Sequence, residues 1–271
     1  MRRARRSLGV AVMLALAGAS SAQAALSVSP SRVVLRAKPA RVLVGFFVLE
    51  NQGDRPLAVR VEPEDWAGGI GGARGPVGWL TVRPATLTLR PRKRARVKYT
   101  IRVPEDASGE LRTQVFFTTE LSGAPMPMRS RLGTIIYVGI EGTERIAAAI
   151  TQVSASYTAG TPGVAQPDRL DVAVTIRNDG NAHIAPDGAV VIRDAEGRLV
   201  ATVPLQSGWG LLPNEEDLYH AIGHGIHLTP GRHTLEVTVH CGGDLRHPIT
   251  VSRSADAVVT ETGTLDLLPT Y

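Results

Sequence analysis

The sequence predicts an all-β protein: two immunoglobulin-like β-sandwich domains behind a cleaved export signal. Three observations predict it. Apolar and polar residues alternate with a period of two, as in Arg94–Val103, where Ala95, Val97, Tyr99, Ile101 and Val103 share one face. Runs of this kind are bounded by Gly, Pro, Asn and Asp clusters, such as Asn51-Gln52-Gly53-Asp54 and Asn178-Asp179-Gly180-Asn181. The stretches between those clusters carry no apolar residues at helical spacing with caps.

The elements follow in order. Residues 1–24 read as a signal peptide: Arg2, Arg3, Arg5 and Arg6 precede the apolar run Leu8–Gly18, and Ala22-Gln23-Ala24 is an A-x-A cleavage site. That run is too short to span a bilayer, so the mature chain is expected in the periplasm or at the cell surface with no membrane span. Residues 25–145 hold strand candidates at 26–35, 41–50, 57–62, 79–82, 94–103, 112–121 and 132–140. About seven short strands in about 115 residues is the count of an immunoglobulin-like sandwich. Residues 146–260 repeat the style, with Val172, Val174 and Ile176 inward and hairpin turns at Asp194-Ala195-Glu196-Gly197 and Pro230-Gly231. The tail, residues 261–271, offers little to bury and is expected to be loose.

Charge excludes one class of function. The chain has 30 basic and 25 acidic residues, but four of the arginines belong to the signal, leaving 26 against 25. The basic isoelectric point is therefore no argument for nucleic acid. The mature charge is uneven: residues 25–145 carry 19 basic and 11 acidic side chains, residues 146–271 carry 7 and 14. Such a dipole orients two halves or steers a partner. Cys241 is the sole cysteine, so stability must come from packing, not an intrachain disulfide.

The residues also carry a resemblance. Ser29-Pro30-Ser31-Arg32-Val33-Val34-Leu35 opens a strand, and an apolar second strand ends in Glu50-Asn51-Gln52-Gly53-Asp54-Arg55-Pro56. Trp79-Leu80-Thr81-Val82-Arg83-Pro84, Leu87-Thr88-Leu89-Arg90-Pro91 and the alternating strand closed by Val103-Pro104 follow. In order of strands and turns, residues 26–140 resemble the N-terminal domain of PapD-like periplasmic pilus-assembly chaperones. The second half resembles sandwich modules common in exported bacterial proteins.

The resemblance implies a function. Chaperones of that family lend a strand to a pilin subunit that lacks its last one, and hold the subunit's terminal carboxylate with a basic pair between the domains. Protein subunits of a surface structure, pilins and an usher among them, are the implied partners. Arg32 matches the family's first-strand basic residue. Arg131 is a candidate for the second, one residue away from the matching position at Leu132, and Arg129 shares its face. Met126 and Met128 are the large apolar side chains left in the short segment that stands for the family's donor hairpin, where Pro125 and Pro127 remove two backbone donors. An exported structural or adhesion scaffold without chaperone activity is the alternative.

The case for an enzyme is weak. His220, His224 and His227, close to Glu215, Glu216 and Asp217, form the best metal signal in the chain. Two ligands in a His-x-x-x-His spacing meet only on a helix, and Gly223 and Gly225 argue against one. The sequence contains no nucleophile elbow, metalloprotease motif or P-loop. No metal or other cofactor is therefore expected.

Overall fold

The structure, a computed structural model, describes residues 26–65, 77–121, 128–160, 167–206, 208, 210–242 and 248–268. These residues form strands, turns and loops, and no helix. The expected signal peptide lies outside them.

Nine strands make the first domain. One sheet runs in the order β1 (Leu26–Ser29), β3 (Val42–Asn51), β7 (Arg94–Arg102), β5 (Leu80–Arg83). The other runs β2 (Arg32–Ala37), β9 (Met128–Ile140), β8 (Glu110–Leu121), β4 (Leu57–Asp65), β6 (Thr86–Leu89). The sequence predicts seven strands here because one of its runs is divided between the sheets and β6 is not among its strand candidates. The run 26–35 breaks at Pro30, where the chain leaves β3 and moves to β9. The run 79–82 is β5 alone, and the chain crosses at Pro84 to β6 in the other sheet. A proline has no N–H to continue a ladder, which suits it to both crossings. Both prolines follow cis peptide bonds.

The alternation seen in the sequence builds the core. Phe47 and Leu49 of β3, Val97 and Ile101 of β7, Val115 and Phe117 of β8, and Ile136 and Val138 of β9 are fully buried. Phe47 meets the Phe117 ring edge-on at 5.3 Å and the Tyr99 ring at 4.9 Å. Tyr99 lies over Gly45, where a Cβ would fall 2.2 Å from its ring. Only glycine leaves that room on the apolar run of β3.

The second domain has its own core. Strands β10 (Ala148–Thr158), β11 (Arg169–Asn178) and β14 (Glu216–His224) form one sheet. The other has the order β13 (Leu199–Pro204), β12 (Ala185–Asp194), β15 (Gly231–Gly242), β16 (Ile249–Val259), β17 (Leu265–Leu267). Val172, Val174 and Ile176 point inward, with Val237, Val239 and Cys241 among the residues opposite. The expected turn at Asp194 closes with Gly197 N–H on Asp194 O at 3.0 Å. The tail is not loose over its whole length: β17 pairs with β16, and Leu265 is buried in the core. One apolar side chain at the right register suffices to hold a short edge strand there.

Candidate functional site: an open strand edge at the domain joint

The site begins with a mismatch of strand lengths. β8 pairs with β9 along its whole length, from Leu121↔Met128 to Glu110↔Gly139. On the other side β2 runs parallel to β9 and covers it only from Arg32↔Ile135 to Ala37↔Ile140. Residues 128–134 of β9 therefore have no strand on that side among the described residues. The cause is the crossing at Pro30, which keeps the preceding residues in the other sheet. Thr134 fastens the crossing, its hydroxyl donating to Pro30 O at 3.0 Å.

The phase of the edge follows from two hydrogen bonds. Ile140 N–H donates to Gly109 O, on the β8 side. Ile135 N–H donates to Ser31 O, on the β2 side. In an antiparallel ladder the N–H and C=O of one residue point the same way and successive residues alternate. Arg129, Arg131 and Gly133 accordingly direct their backbone N–H and C=O groups to the open side.

The side chains around this edge differ from the expected basic pair. Arg131 points outward, pairs with Glu64, and lies over the Phe116 ring at 3.5 Å from its centroid. It is also four residues from the position opposite Arg32, about 13 Å at ~3.3 Å per residue. Arg32 and Arg131 thus do not converge on one point. Arg129 is exposed and lines a groove of about 490 Å³ with Ala58, Arg60, Leu87, Thr118 and Glu120. Met128 opens β9 opposite Leu121. Met126, with Pro125 and Pro127, lies outside the described residues.

What joins Arg32 is a residue of the second domain. Arg32 Nη2 donates to His183 Nε2 at 2.8 Å. His183 Nδ1 is 2.5 Å from Glu110 Oε2, and its backbone N–H donates to Glu110 Oε1 at 3.3 Å. The imidazole stacks on Tyr137 at 3.9 Å, and Arg32 approaches the same ring at 5.2 Å. Burial, with Glu110 second, pushes the Tyr137 hydroxyl up to about 12, while Arg32 and Arg112 act in the opposite sense. Arg32, though exposed at the start of β2, is therefore tied to the second domain.

The loop that carries His183 is tied to the joint nearby. Asn181 Nδ2 donates to Thr143 O at 2.9 Å, and its Oδ1 accepts from Arg145 N–H at 2.6 Å. Gly109, at φ +69°, leaves room for this loop: a Cβ there would fall 2.7 Å from Asn181 O. Arg36 and Glu144 pair beside it.

In the sequence His183 is one of seven histidines of the second half, with nothing to tie it to Arg32. The histidines that the sequence favours lie elsewhere. His220 and His224 sit on the strand β14, and His220 contacts Asp171 at 2.8 Å, as His227 contacts Asp168 at 3.3 Å. Among the described residues no three candidate ligands cluster for a metal.

The chain matches no protein-family model and no curated protein. Its structure is similar to solved structures at low identity. The class 5 fimbriae chaperone CfaA is 10% identical, with a TM-score of 0.49 over 84% of this chain and 98% of that one. The CupB2 chaperone of Pseudomonas aeruginosa is 13% identical, with a TM-score of 0.43 over 84% and 99%. The CsuC–CsuE chaperone–tip adhesion subunit complex of Acinetobacter baumannii gives 11%, 0.43, 84% and 97%. Chaperones recur among the solved structures to which this all-β chain is similar.

Proposed function

We propose that the protein is an exported chaperone-like binder of incomplete subunits of a surface structure. It completes a subunit by pairing the open edge of β9 with an extended segment, and receives that segment's terminal carboxylate at Arg32. One observation carries this reading: the uncovered stretch 128–134 of β9 ends where β2 begins, at Arg32. An open edge offers N–H and C=O groups at ~3.3 Å per residue, about 23 Å here, the length of a short strand. A guanidinium at its end suits a carboxylate, which ends such a strand and no other. The export signal read over residues 1–24 agrees with a role outside the cytoplasm.

The test begins with the mature protein purified from periplasm and the subunit that accompanies it. Arg129→Pro removes one edge N–H while leaving the β8 ladder whole, since Arg129 points its backbone to the open side. It should weaken capture of that subunit about three- to tenfold, with unfolding nearly unchanged. Ser130→Pro, one residue on, breaks the β8 ladder and should destabilise the domain instead. Equal capture by wild type and Arg129→Pro, or no accompanying subunit, would exclude edge pairing and leave the scaffold reading in its place.

A further inference from the structure

The contact between Arg32 and His183 fixes a proton. A guanidinium has no lone pair to offer, so Arg32 is the donor and His183 Nε2 the acceptor. The imidazole then carries its hydrogen on Nδ1, where it donates to Glu110 Oε2. The side chains of His183 and Glu110 are 3% and 2% exposed. The groups facing His183 are Arg32 from β2, Glu110 from β8 and Tyr137 from β9. Arg112 and Glu215 also act on Tyr137. With a neutral imidazole, one guanidinium and one carboxylate balance.

A second carboxylate upsets that balance. The proposed function brings one to Arg32, and the present inference rests on that reading. The arriving group competes with Nε2 for the Arg32 N–H groups. It also draws on the guanidinium that balances the buried Glu110, leaving that carboxylate without its compensating charge. A proton from solvent on Nε2 answers both demands: the imidazolium donates to the incoming carboxylate and restores neutrality. We propose that Arg32 and His183 together form a carboxylate site that takes up a proton as it fills, with Glu110 as the fixed counter-charge. The anchor is then built from both domains, which explains why no second basic residue of β9 stands beside Arg32. Binding linked to proton uptake tightens as pH falls.

The test uses the mature protein and a soluble synthetic nonapeptide with alternating apolar residues, with a free C-terminal carboxylate or an amide. Titration calorimetry should show the Kd of the carboxylate form falling by up to tenfold per pH unit between about pH 8 and 5. Its heat should vary with the ionisation enthalpy of the buffer, reporting about one proton. The amide should bind more weakly and without the slope. His183→Gln should keep binding and lose the slope. In the wild type, the NMR titration midpoint of His183 Cε1–H should rise when the carboxylate peptide is bound, which serves if His183→Gln does not fold. A pH-independent Kd with buffer-independent heat, or an unmoved midpoint, overturns the inference while leaving edge pairing intact. A carboxylate peptide that fails to bind at any pH overturns both.

Discussion

Asn51 and Asn178 make the same set of hydrogen bonds in the two domains. Asn51 Nδ2 donates to Arg55 O and Leu89 O, its Oδ1 accepts from Gly53 N–H, and its backbone N–H donates to Lys93 O. Asn178 Nδ2 donates to Ala182 O and Leu211 O, its Oδ1 accepts from Gly180 N–H, and its backbone N–H donates to Glu215 O. Both side chains are fully buried at the end of a long apolar strand, β3 in one domain and β11 in the other. Replacing either by Ala leaves backbone carbonyls and an N–H without partners. Each change should cost about 2–4 kcal/mol. Urea unfolding followed separately for each domain should place the loss from Asn51→Ala in the first and from Asn178→Ala in the second.

Arg32→Ala should weaken subunit capture by ~30-fold to several thousand-fold, equivalent to roughly 2–5 kcal/mol, because it strands a desolvated carboxylate on the partner. Arg32→Lys should recover part of this, since a point charge cannot reproduce the fork. Lys98→Glu, on an exposed face of β7, alters the domain's charge more and should matter less. Equal losses for Arg32→Ala and Lys98→Glu in a capture assay would mean that the basic domain acts by steering alone.

Arg131 should behave as a structural residue. Its plane on Phe116 and its pair with Glu64 are worth about 1–2 kcal/mol together at a partly buried site. Arg131→Ala should lower the melting temperature while capture by the folded protein stays within about twofold. A selective loss of capture at unchanged stability would instead place Arg131 in the anchor.

Cys241 should be silent in the folded protein. Burial pushes its thiol up to about 11. Below pH 9 a thiol reagent should label it only on the timescale of second-domain opening. The sign for stability follows: a raised value favours the protonated thiol in the fold. Its contribution, up to about 2–3 kcal/mol, is complete below about 9 and lost as pH rises through 11. Alkaline unfolding of Cys241→Ser should be less steep over that interval.

Much of the fold was legible because burial and alternation coincide. β7 and β11 show their inward faces residue by residue, and the Asn51 and Asn178 turns are visible as punctuation. The divided strands were not, because Leu26–Ala37 alternates on both sides of Pro30 and nothing local says that the sheets differ. The site was half legible. Arg32 stood out by its place before an apolar run, but its partner lies 151 residues away, and only the docking of the second domain joins them. Arg131 was legible only as a residue one place from the matching position, because its aromatic support, Phe116, comes from β8 and is invisible in the order of residues along β9.

The short first strand also bears on how the protein behaves in company of its own kind. An uncovered backbone edge is satisfied by any extended chain, including another copy's, and self-pairing is favoured as concentration rises. Two β9 edges meeting antiparallel and centred on Arg131 would set that arginine against its counterpart. Like charges directly opposite weaken such a pair. A partner without a cation at that register escapes the conflict. The same side chain that braces the sheet therefore disfavours that self-pairing of the edge.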